Sequence, residues 1–440
     1  MSLGRAAAGS VASTLLGTLF LAIAGIITAR SLGPEGRGLF VFAVLVPNLV
    51  ASACTLGLTN SLVYFIARER RDPGAALGTS LAIALALGLG CVWIFLLLLR
   101  ARWWPAGSVP CLAITVWAIP AILGYSMARH ALLGLQRYLP FNLLNLTNNG
   151  ILAVLFLAAL LGPGGSLRTF CALFTAGSVL SFIAALALAL SATGRPRVEG
   201  AYARAALHYG LRSHVGWLAE LLNYRLDMLI VQALGGARSL GLYSVAVSIA
   251  ETLWLVPSCV SVVLMPELAS VGANQTPTTT TICRLIFSLT LVAAGILAAL
   301  GAPLVTLLYG APFRPALWPL LLLLPGVAVF SLAKVLGADF AARGKPGLAS
   351  QVAGVSLAVT LVLDLALIPR YEAAGAALAS SMAYGVAGAL AMRLYARLTG
   401  VGAEGLLLAR RADLRVAWTV FHRLTGRPPA AHAAAGEEVS

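Results

Sequence analysis

Gly33-Pro34-Glu35-Gly36-Arg37-Gly38-Leu39-Phe40-Val41-Phe42-Ala43 returns, 203 residues later, as Gly236-Ala237-Arg238-Ser239-Leu240-Gly241-Leu242-Tyr243-Ser244-Val245-Ala246. In both copies two glycines stand five apart. Each copy closes one apolar run and opens the next with Gly-Leu-aromatic. The offset maps the first long apolar run onto the seventh, so the chain reads as two copies of a six-span unit. Repeated halves within one membrane chain are a transporter signature. An even number of spans per copy leaves both copies in the same orientation, related by an axis along the membrane normal.

The composition around this repeat is that of a polytopic membrane protein. The 440 residues are 60% hydrophobic and only 10% charged, and mean hydropathy is +0.92. Soluble domains carry about a quarter charged residues, so a soluble globular enzyme is excluded, as is a disordered chain. A crossing needs about 20 apolar residues. Breaks in the apolar pattern give twelve predicted spans: 10–30, 39–67, 75–99, 109–133, 141–162 and 169–192, then 207–234, 240–266, 282–309, 315–342, 348–369 and 373–398. The run at 10–29 reads as a first span, not a removed leader. The expected fold is therefore all-α, with about twelve transmembrane helices in two six-helix lobes around a central cavity. Residues 1–200 form the first lobe, 201–398 the second, and 399–440 a tail.

The net charge of +15 reflects topology rather than nucleic-acid binding, because the arginines are scattered between apolar runs and form no basic patch. With both termini cytoplasmic, 19 Arg and Lys fall inside and 8 outside, as the positive-inside rule requires. Without the termini the split narrows to 11 against 8. In the tail, Leu407, Leu414, Trp418, Phe421 and Leu424 recur on one side among Arg410, Arg411, Arg415 and Arg423. That is a basic amphipathic helix suited to anionic lipid, followed by a disordered end. The six cysteines form no CxxC pair and read as buried thiols, and no metal site is indicated.

Charges at membrane depth are costly and mark a wet path or a partner. They are Arg212, Glu220, Arg225, Asp227, Glu251, Lys334, Asp339 and Asp364. At about 100° per residue from His208, Arg212, Asn223, Asp227 and Glu220 fall between roughly 40° and 120°, one polar face of predicted span 7. His214, Arg225 and Gln232 fall near 240–260° and form a second face. A helix lining a hydrophilic cavity and a set of structural ion pairs both fit this pattern. Glu251 stands 203 residues after Asn48, so matching depths in the two halves both carry a polar group. Lys334 and Asp339 are secondary candidates, and Asp364 reads as a contact to a neighbouring helix. In the first half the polar candidates are Arg30 at the outer end of predicted span 1, and Asn48, Asn60 and Tyr64 in predicted span 2. Asn142, Asn145, Asn148 and Asn149 are explained as well by interhelical hydrogen bonds as by a ligand.

Several ordered motifs resemble one family. They are Thr28-Ala29-Arg30-Ser31-Leu32-Gly33-Pro34-Glu35-Gly36-Arg37-Gly38-Leu39-Phe40, Leu56-Gly57-Leu58-Thr59-Asn60-Ser61 and Leu133-Gly134-Leu135-Gln136-Arg137 in the first half. In the second half they are Arg225-Leu226-Asp227 ahead of Leu240-Gly241-Leu242-Tyr243-Ser244-Val245-Ala246, then Val263-Leu264-Met265-Pro266, Leu308-Tyr309-Gly310, Ile368-Pro369-Arg370-Tyr371 and Gly375-Ala376-Ala377. Together they resemble the polysaccharide-biosynthesis branch of the multidrug/oligosaccharidyl-lipid/polysaccharide (MOP) exporter superfamily, the Wzx-type flippases. Departures are Asp364 where such proteins often carry Asn, Glu372 where Gly is usual, and Glu267 in place of a basic residue.

The resemblance implies a non-enzymatic, MATE-like transporter in a bacterial inner membrane, with both termini cytoplasmic. It would flip a polyprenyl-(pyro)phosphate-linked oligosaccharide to the outer leaflet. It would need no cofactor beyond a coupling proton or sodium ion, and its partners would be membrane lipid, polysaccharide polymerase and glycosyltransferases. Arginine's forked donors suit a phosphate. Arg30, Arg212, Arg225, Asn60 and Asn223 are thus expected at the anionic head group, with Glu220, Asp227 and Glu251 as coupling or cavity acids. A drug/cation antiporter of the same superfamily and a lipid II flippase are the competing expectations. The antiporter would favour an acidic cavity. A membrane-embedded glycosyltransferase would need a long extramembrane loop, and none is present.

Overall fold

The computed structural model describes residues 3–100, 107–162, 165–258, 260, 276–410 and 413. Among these the secondary structure is entirely helical. Hydrocarbon offers no partner to a backbone amide, so a chain this apolar must satisfy its backbone within each segment. The helices are α1 (Leu3–Cys54), α2 (Leu58–Ala67), α3 (Pro73–Arg100), α4 (Val109–Thr115), α5 (Ala118–Gly134), α6 (Tyr138–Leu161) and α7 (Leu167–Thr193). They continue with α8 (Gly200–Ala250), α9 (Thr276–Tyr309), α10 (Leu317–Ala342), α11 (Pro346–Thr399) and the short α12 (Glu404–Leu407). Nine stretches among the described residues are long and apolar enough to cross a membrane, and leucines such as Leu161, Leu307 and Leu365 face outward.

Three of these helices are far too long for one crossing, and each contains a break. In α1 it falls at Gly33 (φ 66°, ψ −179°) and in α8 at Gly236 (φ 80°, ψ 178°). The two positions of the sequence repeat thus adopt nearly the same left-handed backbone, which glycine enters without a Cβ penalty. In α11 the break falls at Glu372 (φ 49°, ψ −125°), the position where the family resemblance leads one to expect glycine. A non-glycine residue there is strained, and the Ser239 hydroxyl donates to the Glu372 carboxylate.

Two predicted spans are interrupted. The one at 39–67 stops at Cys54 and restarts at Leu58, with Leu56 (φ 48°) and Gly57 (φ 70°) both left-handed. Thr55 Oγ1 donates to Ser52 O at 2.8 Å, a local bond that competes with the helical ladder. The one at 109–133 is divided into α4 and α5 by a turn at Val116 and Trp117.

The two copies of the motif pack against each other. A Cβ on Gly38 would overlap the Ala237 carbonyl, and one on Gly241 would overlap that of Pro34. At the opposite end of the bundle, Gly57 lies against the Gly210 backbone, and a Cβ on Gly210 would sit 2.6 Å from Leu56 O. That second crossing is bound by Ser61 Oγ donating to Ala206 O (2.6 Å), Asn60 Nδ2 to Ser213 Oγ (3.2 Å) and a contact of His214 Nε2 with Ala53 O (2.9 Å). Tyr64 and Tyr209 stack there with centroids 4.4 Å apart.

Residues 194–199 join α7 to α8 and lie on the first half. Arg197 N donates to Gly74 O (3.2 Å), Thr79 Oγ1 to Arg197 O (3.4 Å) and Glu199 N to Thr79 Oγ1 (2.9 Å).

After α11 the chain folds back onto α9. Leu406 is buried in the second-half core. Arg284 grips Asp413 through Nε (2.7 Å) and Nη2, while its Nη1 donates to Gly405 O (2.9 Å). The predicted amphipathic helix and disordered end lie, from Leu414 on, outside the described residues. At Leu408 the backbone is extended (φ −112°, ψ 135°), not helical.

Alanine at Gly38 or Gly241 should overpack the motif crossing, at a cost of about 1–3 kcal/mol. Thermal unfolding in detergent should show either variant melting several degrees below wild type. Gly295→Ala, where nothing lies within 4 Å, should not lower the midpoint.

Hydrogen bonds from Arg284 hold the Asp413 carboxyl below its usual range. A depressed carboxyl keeps its clasp at neutral pH and loses it as pH falls through the depressed value, below about 3.9. Limited proteolysis should find the segment after α11 protected from pH 8 down to about 5. Asp413→Asn should be cut faster already at pH 7, and equal cutting would remove the clasp.

Candidate functional site

Between the two crossings lies a partly open cavity of about 690 Å³. Both arms of α1, parts of α5, α6 and α7, the middle of α8 and the 3₁₀ turn at Glu251–Trp254 line it. Asn48 and Glu251, the pair matched by the repeat offset, both face it. So do Asn148 and Asn149 on α6, while Asn142 and Asn145 instead bond Ser10 and Ser13 of α1.

Arg225 reaches into this cavity from α8 and meets Glu251 in a two-pronged ion pair, Nη1 to Oε1 at 2.9 Å and Nη2 to Oε2 at 3.1 Å. Arg37 stands at the cavity end nearest the motif crossing. Its Nη1 donates to Thr28 Oγ1, and its buried Nε has no acceptor among the described residues. Counted from sequence as a loop cation, Arg37 is instead buried. The signal that could have found it is the restart of the helix at Pro34, which places Arg37 one turn inside. Among the described residues the cavity wall thus carries two guanidiniums and one carboxylate.

A second cavity, of about 510 Å³, lies within the second half. Glu220, Asn223 and Lys334 line it. Lys334 Nζ donates to the Tyr224 hydroxyl (3.2 Å) and sits 4.9 Å from the Trp254 ring centroid. The Tyr224 hydroxyl donates to Glu220 Oε1 (3.1 Å).

Behind these cavities lies a pair of buried acids. Asp227 accepts from the Tyr243 hydroxyl, from Met228 N (2.7 Å) and from Ser380 Oγ (3.4 Å). Asp364 on α11 is 0% exposed, interacts electrostatically with Asp227, and has no hydrogen-bond partner on either oxygen among the described residues. One turn away, Thr360 Oγ1 donates to Asn223 Oδ1 (3.2 Å). The sequence marks Asp364 as a charge in a span, but nothing local in it reveals Asp227 as its neighbour.

The expected single polar face of α8 is not one surface. Asn223 and Glu220 line the second cavity, Asp227 is packed against Tyr243, and Arg212 is exposed and lines neither cavity. Residues sharing an angle but fifteen positions apart are separated by about 22 Å along the axis, so a common face need not be a common site. The other face, with His214 and Arg225, is the one that meets the first half. Arg30 lines neither cavity; it donates to Leu307 O and, at 2.8 Å, to Leu308 O at the end of α9, where a helix leaves carbonyls unspent. Asn60 belongs to the Gly57 crossing. Asp339 is buried against Arg343 (2.6 Å) and Thr279 (2.8 Å) and lines neither cavity.

Residues 3–272 match the family described as polysaccharide biosynthesis protein. Among solved structures, the lipid II flippase MurJ in an inward closed conformation superposes with a TM-score of 0.74 at 15% identity, over 95% of this chain and 91% of that one. An inward-facing multidrug resistance MATE family transporter of the MOP superfamily gives 0.70 at 14% identity, over 87% and 94%. A MOP superfamily transporter from Pyrococcus furiosus, described by the reverse polarity of its binding pocket, gives 0.62 at 14% identity, over 90% and 94%. At such identities the likeness is one of fold. No curated protein matches the chain. Membership of this family is consistent with a non-catalytic transport role.

Removing one partner of a partly buried ion pair leaves the other charge stranded, which costs more than removing both. Glu251→Ala should therefore melt lower than the double variant Arg225→Met/Glu251→Met. Thermal midpoints in one detergent measure this, and a double variant less stable than Glu251→Ala would contradict it.

Proposed function

We propose that this chain, which belongs to the polysaccharide biosynthesis protein family, is a flippase. It carries a polyprenyl-(pyro)phosphate-linked oligosaccharide from the inner to the outer leaflet of a bacterial inner membrane by alternating access. The observation that carries this reading is the charge balance of the central cavity among the described residues, with Arg37 and Arg225 against Glu251. A net cationic cavity suits a phosphate and disfavours a cationic drug.

Counting the arms of the three broken helices separately turns the nine candidate spans into twelve crossings. Residues 1–200 and 201–398 are then two six-helix lobes about the central cavity, and both termini lie in the cytoplasm, where the arginines are in excess. On that orientation the Gly33 and Gly236 breaks face outward, and Gly57 and Gly210 face inward. Both crossings are packed around a partly open cavity, and the lobes alternate by parting one crossing at a time. Arg225 binds the anionic head group once Glu251 yields it. Arg30, exposed on the outer side and fastened to the end of α9, closes that side. Enzymes that build and polymerise the glycan are its expected partners.

Asp227 and Asp364 support ion coupling. Asp364, buried without a hydrogen-bond partner among the described residues and within the field of Asp227, calls for a cation or a proton. Occupancy of that pair would bias how α8 meets α11, and through α8 the position of Arg225. Glu220 at the second cavity is the alternative coupling acid.

In proteoliposomes, wild type should move a lipid-linked oligosaccharide, and Arg225→Ala should cut the rate at least tenfold with the protein still inserted. An imposed sodium or proton gradient should accelerate wild type but not Asp364→Asn. Undiminished transport by Arg225→Ala would end the head-group assignment, and a gradient response in Asp364→Asn would end the coupling one.

A further inference from the structure

We propose that Arg37 is a second anion station at the outer end of the central cavity, receiving the phosphate of an amphipathic lipid after Arg225; the orientation and cargo class rest on the flippase reading above. Arg37 is 8% exposed and lines the cavity close beneath the Gly38–Gly241 crossing. Its direction is set by the first arm of α1. Nη1 donates to the Thr28 hydroxyl, which in turn donates to Ala24 O at 3.0 Å. The ion pairs among the described residues are Arg71–Glu199, Arg225–Glu251, Arg284–Asp413 and Arg343–Asp339. Arg37 is in none of them, and its Nε has no acceptor among the described residues.

A guanidinium does not escape the cost of burial by losing its proton, so an uncompensated one in a cavity calls for an anion. The two cavity arginines differ in this respect. Arg225 is held by a carboxylate that a ligand must displace, whereas Arg37 has no such competitor. Counting from the breaks, Arg225 lies eleven residues from Gly236 and Arg37 four from Gly33. At 1.5 Å per residue that is about 16 Å against about 6 Å of depth. A phosphate released from Arg225 would move roughly 10 Å outward to Arg37, while Glu251 re-forms its pair behind it.

Phe40, Val44, Phe156 and Phe174 line the same cavity, with Phe40 edge-on to Phe156 at 5.7 Å between centroids. One cation set among aromatic and aliphatic surface fits a phosphate attached to an apolar chain better than a free ion.

The test is binding to the purified full chain in detergent, with geranylgeranyl pyrophosphate as probe and geranylgeraniol and inorganic pyrophosphate as comparison arms. Wild type should bind the lipid pyrophosphate at least tenfold tighter than either. Arg37→Ala should lose about tenfold, and Arg37→Lys should stay within about threefold of wild type, with both eluting as single species. An unchanged affinity in Arg37→Ala, or no binding by wild type, overturns the station. Equal binding of inorganic pyrophosphate overturns the lipid as its source. If wild type binds the probe through Arg37 yet moves no lipid-linked oligosaccharide in proteoliposomes, the cargo reading fails and the station stands.

Discussion

Backbone-to-backbone contact between the halves is the constraint from which the rest of the molecule follows. Gly38 against Ala237 and Gly241 against Pro34 make one such contact, and Gly57 against Gly210 makes the other. Each brings two chains closer than any side chain permits. Between them the helices must diverge, and in the gap the arginines and asparagines find space that packed helices deny them. Close approach through glycine is a general device for associating membrane helices. Here it sets both where the halves touch and where they do not.

The repeat was legible because it needs a special backbone. A left-handed residue followed by a restarting helix demands glycine at one position, and a crossing demands it five residues later. Both demands occur twice, at Gly33 and Gly38 and at Gly236 and Gly241. The apolar runs were legible for the reason that hydropathy works at all: hydrocarbon leaves a backbone little choice. The break at Leu56 and Gly57 was not, because the surrounding residues are as apolar as a continuous span. Glu372 shows the converse. It holds a left-handed conformation without being glycine, and its support comes from Ser239, which the sequence places 133 residues away.

The cavity was legible in kind and less so in its members. Asn48 and Glu251 were polar groups within spans that the offset paired, and both face the central space. Arg225 emerged as a charge in a span. Arg37 did not, since a count of loop cations assigns it to water when it is one turn inside a new helix. Arg212 carries the opposite lesson, an exposed arginine on the favoured angle of α8 that lines neither cavity. Angle is readable from periodicity; depth depends on where the helix begins and what crosses it. Asp364 needed a neighbour from another helix before it meant anything.

The connection between the halves has a mechanical consequence. Residues 194–199 are tied by hydrogen bonds to Gly74 and Thr79, so that stretch of strap travels with the first half as cargo on its frame. The first turns of α8 are held there too, with Tyr202 and Ala206 in the first-half core and Ser61 Oγ donating to Ala206 O. The join is therefore a clamped seam rather than a free tether, and the frame of the first half extends about two turns into α8.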